Sequence, residues 1–190
     1  MINLVKGQKI DLTKGNSGLK HLHVGLGWDK NQFDDGNYDL DTCAFLLNKD
    51  GKARIEGDMI YFNHLTHDSG AVRHSGDNLT GEGEGDDEVI FVDLDKVPAD
   101  IEKIDFTITI YDAKARKQNF GMIQNAYVRV LDDDTKTELV QYDLDEDYSV
   151  ETAMVMGELY RNNGEWKFAA VGQGFKDGLE GLVKMYGLNV

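Results

Sequence analysis

The chain has 190 residues, a length at which one domain with a single core is the ordinary outcome. Its 35 acidic and 20 basic side chains give a formal net charge of −15, which repels phosphate backbones and anionic lipid headgroups, so direct nucleic-acid binding is not expected and membrane association is unsupported. No apolar run approaches the ~20 residues that span a bilayer, and the N-terminal residues carry no export signal. We therefore expect a cytoplasmic protein.

Alternating apolar residues predict strands along most of the chain. The predicted strands cover residues 21–28, 38–47, 60–62, 89–94, 104–111, 122–131, 139–144, 152–161 and 166–171. Turn residues at 48–51 and 162–164 predict hairpins, and apolar residues at helical spacing predict a helix over 175–186. The fold class expected is mainly β, an antiparallel two-sheet β-sandwich with a short C-terminal helix, in a single domain over residues 1–190.

A long glycine-rich loop between His64 and Glu88 interrupts this regular pattern. Long ordered loops in compact domains are usually functional. If successive strands run antiparallel, this loop and several other acidic segments meet at one end of the sandwich, which we call the acidic end. The residues expected there are Asp29, Asp34, Asp35, Asp39, Asp41, Asp68, Asp77, Asn78, Asp86, Asp87, Glu88 and Asp112.

Carboxylates crowded at one end repel one another unless a cation bridges them, and Ca²⁺ takes six to eight oxygens from carboxylates, amides and backbone carbonyls. The segment from Asp77 to Glu88 is therefore a candidate calcium loop, although a single acidic loop residue is usually only solvated. Asp39 and Asp41 alternate along a strand and so project from one face. An EF-hand is rejected, because Leu79 and Gly81 stand where oxygen side chains belong and the flanking elements are strands.

Three sequence motifs resemble the TerD family of tellurium-resistance and general stress proteins. They are the segments 25–29, 38–47 and above all 71–88, and the resemblance continues through 119–121, 126–129, 157–161 and 166–168. The resemblance implies a calcium-binding β-sandwich in the bacterial cytoplasm, with no established enzymatic reaction and with other stress-response proteins as partners.

The resemblance also implies about two Ca²⁺ ions and a set of ligands. The family's calcium-binding loops map onto Asp77, Asn78, Asp86, Asp87 and Glu88, with Asp39, Asp41 and Asp68 sharing the two sites and the carbonyls of Leu79 and Gly83 as further ligands. The expected function is a calcium-binding stress-response module that presents a partner-binding surface.

A metal-dependent hydrolase acting on a phosphate or sugar at the same end is the alternative, since paired carboxylates also carry out acid and base catalysis. Ser69 and Ser75 lie near His67 and His74, but no nucleophile-elbow motif surrounds them. Cys43 is the only cysteine and lies in an apolar run, which predicts a buried structural thiol.

Overall fold

Two six-stranded sheets account for most of the described chain. The structure is a computed structural model, and the residues it describes are 1–29, 38–76, 85–144, 146 and 148–189. The strands are β1 (Ile2–Leu4), β2 (Lys9–Asp11), β3 (His21–Asp29), β4 (Leu40–Leu47), β5 (Met59–Ile60), β6 (Val72–His74), β7 (Glu88–Asp93), β8 (Lys103–Ile110), β9 (Gln124–Asp132), β10 (Thr137–Asp143), β11 (Ala153–Asn162) and β12 (Glu165–Phe175). The helices are α1 (Ala113–Arg116) and α2 (Gly178–Met185), with 3₁₀ turns at Glu56–Asp58, Leu94–Lys96 and Phe120–Met122.

Sheet I has the strand order β1-β10-β9-β3-β7-β6, and sheet II has the order β2-β12-β11-β8-β4-β5. The pairings are antiparallel except that β1 runs parallel to β10. This arrangement confirms the predicted mainly β fold with two sheets and a short C-terminal helix.

The main core lies between the sheets and is built from the alternating apolar residues that predicted the strands. Val24, Leu26, Leu40, Phe106 and Ile108 are each 0% exposed within it. The outer face of sheet II carries a second apolar cluster, in which Phe45 packs on α2. Both faces of sheet II are thus covered, which explains why every residue of β4 is buried and why residues 43–47 form a continuous apolar run.

Cys43 belongs to this second cluster and is 0% exposed, which confirms the predicted buried thiol. Burial and the nearby charges of Asp41 and Glu88 raise the pKa of this thiol. The thiol is therefore held in its unreactive protonated form.

Several elements differ from the sequence prediction. Short strands β1, β2 and β6 were not predicted, because three residues are too few to show a period. Phe175 ends β12, so α2 begins at Gly178, and the predicted helix at 175 starts too early. Strand β12 continues through Gly172 and Gly174, whose small size and conformational freedom lowered the apparent strand signal.

The hairpin over residues 65–74 changes the expected path of the chain. His67 N donates to Val72 O, Gly70 N donates to His67 O, and His74 N donates to Leu65 O. The chain therefore turns back before it enters β6, whereas the prediction took it from β5 directly to the acidic end.

Among the described residues, no helix has the length and apolar character needed to cross a bilayer.

Candidate metal centre at the acidic end

The register of the strands places the two sheets' acidic segments at one end. Leu26 of β3 pairs with Glu88 at the start of β7, and Leu40 at the start of β4 pairs with Ile110 at the end of β8. Glu88 joins the two sheets at this level, because its carboxylate accepts a hydrogen bond from Thr42 N of β4. The described residues flanking segments 30–37 and 77–84 lie at the same end, as expected for the acidic end.

Glu88 is 1% exposed and lies between the sheets. Its Oε2 accepts bonds from Thr42 N at 2.9 Å and Thr42 Oγ1 at 2.6 Å, and lies 3.2 Å from Nε2 of His74. Gly76 N donates to Nδ1 of His74, so in the neutral ring the hydrogen is on Nε2, facing Thr42 and Glu88. Glu88 therefore holds β4, β6 and β7 together where they enter the acidic end.

Asp86 folds over the outer face of sheet I and contacts three side chains. His23 Nε2 lies 2.8 Å from Oδ2, Tyr127 OH donates to Oδ1 at 2.9 Å, and Arg129 Nε donates to Oδ1 at 2.7 Å. Burial alone would raise the pKa of Asp86, but the bonds from His23, Arg129 and Tyr127 and the charge of Arg129 lower it below its usual value. A Cβ on Gly25 would lie 2.1 Å from Oδ2 of Asp86, so a glycine there makes room for this carboxylate.

Asp87 has a different environment although it is the next residue. Its Oδ2 accepts a bond from Trp28 N at 2.8 Å. Burial raises the pKa of Asp87 despite that bond, and the neighbouring carboxylates of Asp29, Glu88 and Asp86 raise it further. A cation at this position would relieve the same repulsion.

Asp41 lies on the outer face of sheet II, in the row that continues through Cys43, and Asp39 comes two residues before it, just ahead of β4. Oδ1 of Asp39 is buried and has no hydrogen-bond donor among the described residues. Asp41 is 8% exposed and lies opposite Thr109 of β8. Asp41 lines a groove on the outer face of sheet II, the side opposite to Glu88, and Asp39 stands two residues before it, where extended backbone continues the pairing through its carbonyl, which accepts a bond from Tyr111 N.

A groove of about 1000 Å³ opens over Asp41, between α1, the loop at 149–152 and the N-terminal turn of α2. Tyr111 and Val150, each 51% exposed, line it as apolar groups. Its charged lining residues are Asp41, Asp112, Asp177, Glu180, Lys114, Lys117, Lys176 and Lys184. Lys114 of α1 and Lys117 just after it therefore line the same groove as Asp41.

Asp68 does not lie at the acidic end, and the prediction that placed it there was wrong. It sits at the exposed tip of the 65–74 hairpin, beside Ala71, whose carbonyl accepts a bond from Asp93 N at the far end of β7. Glu88 and Asp93 are five residues apart along β7, a separation of about 17 Å at ~3.3 Å per residue. The unpredicted hairpin is the physical reason for this displacement.

Four of the predicted calcium ligands, Asp77, Asn78, Leu79 and Gly83, lie outside the described residues. The six that are described do not form one cluster, since they occupy three faces and two ends of the sandwich. Within the described ranges, no group of three or more His, Cys, Asp or Glu side chains has an arrangement that could hold a metal ion.

The hairpin also contains a buried polar network that sequence reasoning missed. His67 Nδ1 lies 2.7 Å from Oγ of Ser69, and its Nε2 lies 3.2 Å from Oδ1 of Asp58, which is 0% exposed. Arg54 donates to both oxygens of Asp58, and Ser69 Oγ accepts a bond from Ala71 N. The network therefore anchors the hairpin; the i,i+4 spacing of Arg54 and Asp58 was its one sequence signal.

The fold defines a class: a mainly β protein with two six-stranded sheets and a short C-terminal helix. A family model described as the TerD domain matches residues 1–186. The chain belongs to the TerD family of tellurium-resistance and stress proteins.

Individual relatives agree with this assignment. The chain is 56% identical over 190 residues to general stress protein 16U of Bacillus subtilis, covering 100% of this chain and 98% of that protein. It is 50% identical to the tellurium resistance protein TerD of Serratia marcescens, covering 99% and 98%. A crystal structure of a TerD homologue from Streptomyces coelicolor has the same fold, with a TM-score of 0.69 at 24% identity over 90% of this chain and 100% of that one.

Proposed function

We propose that this protein is a cytoplasmic, non-enzymatic stress-response module that binds about two Ca²⁺ ions at the acidic end and there presents a surface to other stress-response proteins. The observation that carries the calcium proposal is the buried Oδ1 of Asp39, which has no hydrogen-bond donor among the described residues. A buried carboxylate oxygen without a donor is costly, and a bound cation removes that cost.

The donor chemistry of this region suits Ca²⁺. The candidate ligands are oxygens, which Ca²⁺ prefers, whereas Zn²⁺ prefers nitrogen and sulfur. Asp39 and Asp41 would form one site on the outer face of sheet II. Asp87 would form the second with Asp77, Asn78 and the carbonyls of Leu79 and Gly83, a list that the family resemblance supplies.

Asp86 and Glu88 take a supporting part in this proposal. Both carboxylates are held by protein donors, Asp86 by Arg129 and Glu88 by Thr42. These bonds fix the two residues on either side of Asp87, so that its carboxylate is presented at a defined position. Bound Ca²⁺ would neutralise part of the charge that raises the pKa of Asp87.

The groove over Asp41 is the surface proposed for partners. It combines the exposed side chains Tyr111 and Val150 with polar surroundings, and protein interfaces are enriched in tyrosine and have polar rims. Since Asp41 is both a proposed calcium ligand and a lining residue, calcium binding would alter the charge of this surface directly.

Isothermal titration calorimetry and thermal unfolding, each with Ca²⁺ and with Mg²⁺ after EDTA treatment, test the calcium proposal. Two calcium-selective sites are expected, and Ca²⁺ at a hundred times its Kd should add about 2.7 kcal/mol of stability per site. Asp39→Asn and Asp41→Asn should each remove the same site, the one that these two residues are proposed to form, and leave the other site intact. Asp68→Asn, at the opposite end, is the matched control and should retain both.

Two results would count against the proposal. If the wild-type protein gave no calcium-selective heat and no shift in Tm, calcium binding would be refuted. If Asp39→Asn and Asp41→Asn bound two ions as the wild type does, the assignment of the first site would fail while calcium binding stood.

A further inference from the structure

An exposed serine at the tip of the 65–74 hairpin is hydrogen-bonded to a buried histidine. Ser69 is exposed, whereas His67 is 5% exposed and Asp58 behind it is 0% exposed. Oγ of Ser69 lies 2.7 Å from Nδ1 of His67, and Nε2 of the same ring lies 3.2 Å from Oδ1 of Asp58. A hydroxyl, an imidazole and a carboxylate are therefore joined in series from the surface to the interior.

Backbone hydrogen bonds fix the direction of this series. The backbone N–H of Ser69 donates to Nδ1 of His67 at 3.1 Å, so in the neutral ring the hydrogen is on Nε2, facing Asp58. Since Nδ1 only accepts, the hydroxyl hydrogen of Ser69 lies between Oγ and Nδ1, and Oγ itself accepts a bond from Ala71 N at 3.1 Å. The Ser69 hydroxyl thus donates to an imidazole nitrogen that can take up its proton.

Asp58 orients the imidazole ring and is itself held in the ionised form. Burial alone would raise the pKa of Asp58, but the bonds from Arg54 and His67 and the charge of Arg54 lower it below its usual value. An ionised carboxylate stabilises the positive charge that the ring of His67 gains on taking up a proton. A hydroxyl bonded to a base that a third group orients is the arrangement by which proteins activate a serine.

We propose that Ser69 is a nucleophile that accepts an acyl group from an uncharged ester, with Nδ1 of His67 as the general base. Oγ of Ser69 forms a bond to the acyl carbon, and the ester C–O bond breaks with its electron pair leaving on the alkoxide or phenoxide of the donor. The hydroxyl proton passes to Nδ1 of His67 and from there to solvent. This modification site goes beyond the calcium-binding function proposed above and uses none of the residues assigned to the two calcium sites.

The surroundings of Ser69 favour an uncharged donor. The neighbouring residue Asp68 is an exposed carboxylate, and the chain carries a formal net charge of −15, so donors that carry phosphate groups are repelled. The exposed hairpin tip gives a donor free access but few contacts to hold it in place. A single modification of Ser69 is therefore expected, without rapid turnover.

Ser75 provides a matched comparison within the same chain. It is also exposed and also lies next to a buried histidine, His74. Nδ1 of His74, however, accepts a bond from Gly76 N, its Nε2 lies 2.9 Å from Oγ1 of Thr42, and the Ser75 hydroxyl donates to the carbonyl of Gly76. The Ser75 hydroxyl therefore does not donate to an imidazole and should react as an ordinary serine.

The test is incubation of the EDTA-treated protein with p-nitrophenyl acetate at pH 7.5, with the acetylated residues located over time by peptide mass spectrometry. Ser69 should be acetylated about a hundredfold faster than Ser75 or more, which is what a general base typically contributes. Ser69→Ala should remove this product and leave the slower acetylation of lysines unchanged. Ser75→Ala is the control and should retain it.

The variant His67→Asn tests the base. Its amide oxygen can take the place of Nδ1 as acceptor for the backbone N–H of Ser69, but an amide is not a base, so acetylation of Ser69 should slow by about a hundredfold. Acetylation of Ser69 no faster than that of Ser75, or unchanged in His67→Asn, would overturn the proposal and leave the network as an anchor of the hairpin. The comparison of the two serines in the wild-type protein decides the matter even if His67→Asn fails to fold. Because the assay contains no Ca²⁺, none of these results bears on the calcium sites.

Discussion

Replacing Asp105 by Asn should make the protein more stable near neutral pH and change how its stability depends on pH. Burial raises the pKa of this carboxyl from an unfolded value of 3.8 to about 6. A raised pKa means that the native state favours the protonated form, so the group's contribution is fully present below pH 3.8 and is lost as the pH rises through 6. Two pKa units correspond to about 3 kcal/mol, of which about 2.5 kcal/mol falls between pH 4 and 7.5.

Urea unfolding of wild type and Asp105→Asn at half-unit steps from pH 4 to 7.5 measures this effect. Other carboxylates titrate over the same range, but they do so in both proteins, so the difference in unfolding free energy isolates Asp105. That difference should shift in favour of the variant by about 2.5 kcal/mol as the pH rises. The control Asp95→Asn, at an exposed site, should show a much smaller change. A difference that stays constant with pH would refute the reasoning that burial of Asp105 dominates its environment.

Two further predictions concern the scaffold of the acidic end. Gly25→Ala should destabilise the protein by about 1–3 kcal/mol in the same urea assay, because its Cβ would lie 2.1 Å from Oδ2 of Asp86. The control Gly18→Ala should be nearly neutral, because no atom would lie closer than 4.0 Å to its Cβ. Glu88→Gln keeps the size of the buried side chain but removes the charge that strengthens its bonds from Thr42. The free energy of unfolding should therefore fall by about 1.5–3 kcal/mol. If the variant were as stable as the wild type, these bonds would not be holding the sheets together.

The strands of the core were predictable from sequence because burial on one face imposes alternation. Strand β8, for example, alternates Ile104, Phe106, Ile108 and Ile110, and the structure buries all four between the sheets. Strand β6 has three residues and is held by pairing with β7 rather than by any pattern of its own. The parallel pairing of β1 with β10 likewise joins segments nearly 140 residues apart, which local sequence does not encode.

In the candidate site too, some features follow from local sequence and others depend on contacts between distant segments. That Asp39 and Asp41 share one face is expected from the alternation of side chains along an extended strand. That Asp86 bonds Arg129 on the outer face of sheet I, while Glu88 points between the sheets, depends on side-chain packing from distant segments. Asp105 gave no sequence signal, since its burial requires α2 to fold over sheet II.

The sequence by itself determined the mainly β class, the buried state of Cys43 and the family, because composition, periodicity and motifs are local properties of the chain. Only the tertiary structure decided which carboxylates meet. The hairpin that carries Asp68 to the end of β7 opposite Glu88, and helix α2, whose following residue Tyr186 bonds buried Asp105, are positioned by contacts between segments far apart in sequence. Such contacts are set by how all the elements pack together, so they can be read from the folded chain alone.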